Sequence, residues 1–329
     1  MDFADKVVLI TGGTGSFGKE CARQLLNHHN PRKLIIFSRD ELKQFVMASE
    51  EFPLSRHPNL RYFIGDVRDK DRLRMALQGV DIVIHTAALK QVPAAEYNPS
   101  EYIKTNIFGS QNLIEAALES SVSKILALST DKACAPINLY GATKLCADKL
   151  FIAANSYAGE AGCRFSIVRY GNVVGSRGSV IPLFLEMRET GTVTITHEEM
   201  TRFFISIRNA VKFTLECLDR MQGGEIFIPK IPSAKIIDLA RAIAPECEVK
   251  IVGIRPGEKL HEMLIGPDDA RYTWENGDYY TIEPTFTYWS RPPRVTGRRL
   301  SYGDVFASNV NNRWLTEEEI QKMVEECSR

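Results

Sequence analysis

Five residues carry the groups from which proton-transfer chemistry is most readily built: Thr130, Asp131 and Lys132 run consecutively, and Tyr140 and Lys144 follow at i and i+4. On a helix that spacing puts the phenol and the ammonium on one face. A cation beside a phenol stabilises phenolate and lowers its pKa from about 10, which a base working near neutrality requires. Asp131 and Lys132 place a second acid and base side by side. For Lys132 to act as a base it must be partly neutral, which burial favours by penalising the ammonium. The bland alternatives are an ordinary helix for Tyr140 and Lys144, and a phosphate or surface carboxylate contact for Lys132.

A second constellation lies near the N-terminus. Thr11 closes an apolar run and is followed by Gly12, Gly13, Thr14, Gly15, Ser16, Phe17 and Gly18. Glycines at 12, 15 and 18 between a strand and a helix let the backbone approach a pyrophosphate, whose charge the helix N-terminus then holds. An acidic residue about 20 positions on receives the ribose hydroxyls in NAD-preferring proteins. Ser38 and Arg39 stand there instead, with Lys43 one turn on, and Asp40 and Glu41 read as first-turn acids of the next helix. Arg39 and Lys43 are therefore expected to clamp a 2′-phosphate, and the expected cofactor is NADP. Asp66, after the third strand, is placed to meet the adenine, and Ala87 and Ala88 let the backbone pass close to the cofactor.

Elements that position these groups follow from the alternation of apolar runs with amphipathic segments. Strands are predicted at Lys6–Thr11, Lys33–Phe37, Arg61–Ile64, Asp81–His85, Lys124–Ser129 and Phe165–Arg169, and helices at Gly18–His28, Asp40–Glu50, Asp69–Leu77, Ser100–Glu119 and Leu139–Ala158. The fold class is α/β: a Rossmann-like, doubly wound parallel sheet with its crevice at the carboxyl ends of the strands. Residues 1–172 form the expected NADP-binding domain. Residues 173–329 form a smaller α/β substrate lobe and tail, the chain being free to cross between lobes. Thr316, followed by Glu317–Glu319, reads as the capped start of a final helix.

Composition narrows the function further. The 329 residues are 44% hydrophobic, and Lys plus Arg and Asp plus Glu each total 41, so no field of one sign favours nucleic acid or an acidic membrane. The seven cysteines show no paired or finger-like spacing, and no metal site is expected. No apolar run reaches the roughly 18 residues of a membrane span, and the start of the chain lacks the pattern of a secretory signal, so a cytoplasmic protein is expected.

The quoted residues, together with His85–Pro99, Arg169–Pro182, Thr201–Phe204, Pro256–Leu264 and the tail residues Asn309, Asn312, Trp314, Leu315 and Thr316, give the chain a resemblance along essentially its whole length. It resembles the extended short-chain dehydrogenase/reductases, and within them the inverting UDP-N-acetylglucosamine 4,6-dehydratases of the polysaccharide biosynthesis group. Only Arg291–Arg299 looks divergent. The resemblance implies that Tyr140 is the base for the sugar C4 hydroxyl, that Lys144 orients the nicotinamide ribose, and that Lys132 and Asp131 are base and acid for loss of water across C5 and C6, with Thr130 beside them. It adds Val67, Lys90 and Asn106 to the cofactor surface. It assigns Lys90, Asn172, Arg177, Val180, Thr201, Arg202, Arg255 and Glu258 to the substrate. It also implies a homo-oligomer, a hexamer or a dimer, serving pseudaminic-acid or related surface-glycan synthesis.

In relatives that retain the C5 configuration the triplet is Thr-Asp-Glu and lies much further before the tyrosine. Thr-Asp-Lys, ten positions before Tyr140, marks the inverting group by resemblance. Three other readings stay open: a UDP-sugar 4-epimerase, a retaining dehydratase, and an NADP-sensing binding protein. Arg177, Arg202 and Arg255 are candidate diphosphate donors because a guanidinium fork matches phosphate oxygens. Glu258, Lys259, His261 and Glu262 read as a charged helical segment, with substrate contact and a solvated face equally open. His85 and His261 read as structural histidines.

Overall fold

The computed structural model describes residues 2–49, 57–159, 162–176, 178–289 and 296–328. Its first half alternates strand and helix: β1 (Val7–Thr11), α1 (Ser16–Gln24), β2 (Lys33–Ser38), α2 (Glu41–Ser49), β3 (Leu60–Ile64), α3 (Lys70–Ala76), β4 (Ile82–His85), α4 (Val92–Tyr97), α5 (Pro99–Tyr102), α6 (Gly109–Leu118), β5 (Lys124–Thr130), α7 (Leu139–Ala158) and β6 (Arg164–Tyr170). Every residue of β1 is buried, as a strand covered by helices on both faces must be. A π-helical turn, Ile103–Phe108, joins α5 to α6, so the helix predicted at Ser100–Glu119 is continuous but locally widened.

Beyond Gly171 come β7 (Asn172–Val174), α8 (Val180–Arg188), β8 (Thr192–Ile195), β9 (Thr201–Ser206), α9 (Ile207–Arg220), β10 (Ile226–Pro229), β11 (Ser233–Lys235), α10 (Ile236–Ile243), β12 (Glu248–Ile251), β13 (Met263–Ile265), α11 (Pro267–Ala270), β14 (Thr273–Asn276), β15 (Tyr279–Ile282), β16 (Arg298–Arg299), β17 (Phe306–Ala307) and α12 (Glu317–Ser328). The large sheet runs β16-β14-β15-β10-β6-β5-β4-β1-β2-β3, parallel from β10 to β3. Strand order reverses between β1 and β4, the place where an open α/β sheet leaves a crevice. Four strands from the second half, β10 and β14 to β16, extend this sheet.

One apolar cluster fills the space around the large sheet; a second, built on Val174, Ile181, Phe184, Val193, Phe204, Leu239 and Ile320, lies under α8, α10 and α12. Thr316 and Glu319 cap α12 reciprocally, Oγ1 accepting from the Glu319 amide at 3.3 Å and the Glu319 carboxylate from the Thr316 amide at 3.0 Å. Residues 258–262, predicted helical, are irregular and lead into β13. The correction has a tertiary cause: Gly257 takes φ +76°, and the charged side chains beyond it turn inward, Lys259 and Glu262 to Cys134 and Lys132 just after β5 and Glu258 to Arg202 on β9. Among the described residues no helix is long and apolar enough to cross a membrane.

Candidate active site

A cleft of about 1000 Å³ opens at the carboxyl ends of β1, β2, β4, β5 and β6 and is walled opposite by Thr194, Ile195, Thr196, Met200 and Ile236. Gly12, Thr14, Gly15, Ser16, Phe17 and Gly18 line one end. Gly12 has φ +64°, and a β-carbon there would stand 2.9 Å from the Ala87 backbone, so only glycine lets the turn lie against the strand-end loop that carries Ala87 and Ala88. This is the cradle a pyrophosphate needs, directly before the N-terminus of α1.

At the end of β2, Ser38 bonds Thr14 between hydroxyls at 2.8 Å. Asp40 caps α2 by accepting from the Lys43 amide at 2.9 Å and pairs with the Lys43 ammonium at 2.5 Å, which accounts for it locally. Arg39 is half-exposed on the cleft, 3.6 Å from Asp66, whose carboxylate is held more closely by Arg68 at 2.7 Å. Burial opposes the charge of Asp66, but bonds from Arg68 and the nearby Arg39 outweigh it and keep the carboxyl below its usual range. Val67 lines the cleft beside Asp66. The residues present thus fit a dinucleotide, with a serine and no acid at the last position of β2 and a cation directly after it.

The acid–base groups meet at the centre. Thr130, at the end of β5, donates to Asp131 Oδ1 at 2.9 Å, and Lys132 Nζ donates to the same oxygen at 2.9 Å. Asp131 is fully buried, and its Oδ2 has no hydrogen-bond partner among the described residues. Lys132 also reaches Asn172 Oδ1 at 3.4 Å and lies 3.9 Å from Glu262 Oε1. Burial works against the ammonium, yet Asp131 and then Glu262 outweigh it, so Lys132 sits above its ordinary pKa. That corrects the expectation that burial alone would neutralise it: two carboxylates hold the charge.

Tyr140 is pushed up to about 12 by burial, against the pull of Lys132 and of a hydrogen bond with Thr130. Among the protein's own groups burial outweighs the cations, and the cation that counters it is Lys132 and not Lys144. Lys144, one turn along α7, is lowered by burial against the charge of Asp148. Asp148 in turn accepts from Ser129 at 2.7 Å and lies 3.5 Å from Arg169, forming a buried support behind Lys144.

Four residues position these groups, and two of them, Asn138 and Gly141, give no chemical signal in the sequence. Asn138 caps α7, accepting from the Gly141 amide and donating to the Gly257 carbonyl, both at 2.8 Å, and so ties the loop after β12 to the helix bearing Tyr140. Gly141 lets α7 settle on the Asp131–Ala133 turn. Glu262, 2% exposed, lines the cleft facing Lys132. Asn106, in the π turn, lies behind the cofactor wall: its amide spans the Leu89 amide and carbonyl at 2.9 Å each and donates to Thr143 at 3.0 Å. It therefore fixes the loop of Lys90 against α7.

On the substrate side, Lys90, Asn172, Val180, Arg202, Arg255 and Glu258 all line the cleft. Arg202 is buried, and its guanidinium donates to the carbonyls of Thr201, Leu260 and Lys259 at 2.7, 3.0 and 2.8 Å. It fastens the 258–260 segment to β9, leaving few donors for a phosphate. Thr201 does not line the cleft; its hydroxyl bonds His261 at 2.8 Å and Ser308 at 2.7 Å. Arg177 lies outside the described residues, as do positions 291–295 of the divergent stretch. His85 is buried at the β1–β4 switch and bonds Thr11 at 2.8 Å. Among the described residues no three His, Cys, Asp or Glu gather as a metal site.

A family model described as polysaccharide biosynthesis protein matches residues 8–284. A protein of Campylobacter jejuni subsp. jejuni serotype O:2, named UDP-N-acetylglucosamine 4,6-dehydratase (inverting), is 53% identical over 331 residues, 98% of each chain. A UDP-glucose 4-epimerase of Rickettsia canadensis is 37% identical over 342 residues, covering 98% of this chain and 96% of that one. The X-ray structure of Pen from Bacillus thuringiensis is similar with a TM-score of 0.90 at 36% identity, covering 100% of this chain and 99% of that one.

Proposed function

Because the chain belongs to the polysaccharide biosynthesis protein family, we infer from its acid–base cluster that it is an inverting 4,6-dehydratase acting on UDP-N-acetylglucosamine. The product is a UDP-4-keto-6-deoxy-L-hexosamine. The observation that carries this reading is that Lys132 and Tyr140 line one cleft, with the buried Asp131 bonded directly behind Lys132: oxidation at C4 needs Tyr140 alone, whereas elimination needs a further base and acid. The 53% identical relative bears the same activity in its name.

The Gly12–Gly18 turn and Arg39 would hold NADP, which would supply reversible hydride acceptance at the sugar. Tyr140 accepts the C4 hydroxyl proton, and Lys144, backed by Asp148, orients the nicotinamide ribose. The new C4 ketone acidifies the C5 proton, which Lys132 removes while Asp131 protonates the departing C6 hydroxyl. Thr130, bonded to both Tyr140 and Asp131, gives the proton taken at C4 a path to the acid that spends it. The second apolar cluster and the 255–262 segment form the sugar-nucleotide side, and the surrounding role is pseudaminic-acid or related surface-glycan synthesis in the cytoplasm.

Incubation with UDP-N-acetylglucosamine in deuterated water, followed by NMR, tests the reading. The expected product is 6-deoxy, carries deuterium at C5 and has the inverted C5 configuration. The Rickettsia relative makes a 4-epimerase the second reading, and that activity would invert C4 without labelling C5. A product retaining the C5 configuration would assign the retaining chemistry instead.

A further inference from the structure

If Lys132 is the C5 base, its resting charge has to go somewhere. The ammonium is bonded to Asp131, but in the reaction as inferred above Asp131 must reach the elimination step already carrying the C4 hydroxyl proton, and so cannot also take the proton of Lys132. One other carboxyl faces the ammonium. Glu262 Oε1 lies 3.9 Å from Lys132 Nζ, and Oε2 lies 3.5 Å from Lys259 Nζ, with no hydrogen-bond partner among the described residues.

Glu262 is held where it is by tertiary bonds. Its amide donates to Ser308 Oγ at 3.0 Å, its carbonyl accepts from the Ser308 amide at 2.8 Å, and Ser308 is bonded to Thr201 on β9. The charged groups around the carboxyl are Asp131 and Lys132 after β5, Arg202 on β9, and Lys259 on its own segment. Burial, then Asp131, pushes it above the usual carboxylate range against the three cations, so it is suited to hold a proton for part of a cycle.

We propose that Glu262 takes the ammonium proton of Lys132, leaving a neutral amine to remove the C5 proton. The inference rests on the dehydratase reading. The Nζ–H bond breaks and an O–H bond forms on Glu262, with no change in total charge. The amine then accepts the C5 proton and is again an ammonium. Glu262 releases its proton to water, and one solvent-derived proton closes C5 on the opposite face. Glu262 thus acts through Lys132, as a positioning residue that also stores a proton.

Because the transfer is internal, it is independent of bulk pH, whereas without Glu262 the amine forms only by loss of a proton to solvent. The test is kcat for UDP-N-acetylglucosamine dehydration from pH 6.5 to 8.5 in the wild type, Glu262→Gln and Glu262→Asp. The Glu262→Gln to wild-type ratio should fall about tenfold for each unit of decreasing pH, with KM little changed and reduced cofactor accumulating at the acid end. Glu262→Asp, which keeps a carboxyl, should restore a flat ratio. A Glu262→Gln ratio that is constant with pH, whether low or near one, overturns the proposal, since a structural role lowers the rate uniformly. Failure of the wild type to make the 6-deoxy product overturns the dehydratase reading and the proposal with it, so the two failures are distinguishable.

Discussion

The carbonyl oxygen of Lys132 lies so close to Gly141 that a β-carbon on Gly141 would stand 2.2 Å from it. The missing side chain lets α7 rest on the turn that carries Asp131 and Lys132, one residue after Tyr140. Two segments that each carry half of the proposed chemistry are thereby packed into one site.

Gly141→Ala forces that contact apart. Overpacking of this kind costs about 1 to 3 kcal/mol. A lower Tm is expected, together with a fall in kcat of at least about tenfold, the equivalent of ~1.4 kcal/mol in the barrier. Thermal unfolding and turnover measured on the same preparation check both, and an unchanged kcat would show that the approach of α7 is not needed for chemistry.

Tyr140→Phe and Lys132→Met separate the two halves of the reaction. The first should abolish cofactor reduction while leaving sugar-nucleotide binding largely intact, because only one hydroxyl is removed. The second should still permit C4 oxidation, so that reduced cofactor and a 4-keto sugar accumulate without 6-deoxy product. Stopped-flow absorbance of the reduced cofactor and NMR of the sugar read the two steps. Full turnover by either variant would place the corresponding base elsewhere.

Arg39 is the cation at the end of β2 where an acid would favour NAD. Arg39→Ala should narrow the preference for NADP over NAD by about tenfold, or ~1.4 kcal/mol, through weaker NADP binding. Titration with both cofactors measures it. Cofactor released from the wild type that proved to be mainly NAD would remove this assignment.

His85 is buried, and burial together with Lys144 lowers its pKa to about 3, from an unfolded value near 6.5. Between those values the unfolded chain binds the extra proton. Stability is therefore complete above about pH 6.5 and falls as pH drops toward 3, by roughly 1.4 kcal/mol for each unit. His85→Gln should remove this part of the slope in denaturant unfolding curves measured across pH 4 to 7. An identical slope in the variant would show that other groups set the acid sensitivity.

Local sequence determined the elements that depend on neighbours in the chain. The apolar runs of β1 to β6, the glycine turn after Thr11, the helical spacing of Tyr140 and Lys144, and the capping of α12 by Thr316 all express short-range rules, and the first half of the sheet follows from them. Tertiary structure decided what those residues experience. The segment 258–262 has a charge pattern suited to a solvated helix, but contacts with Arg202, Lys132 and Ser308 draw it into the site as irregular chain, because satisfying buried charges outweighs a weak helical preference. Lys132 and Tyr140 could be recognised as candidates from their order alone. Whether Lys132 is charged and Tyr140 raised depends on Asp131, Glu262 and the depth of burial, and those are set only when distant strands close around one cleft.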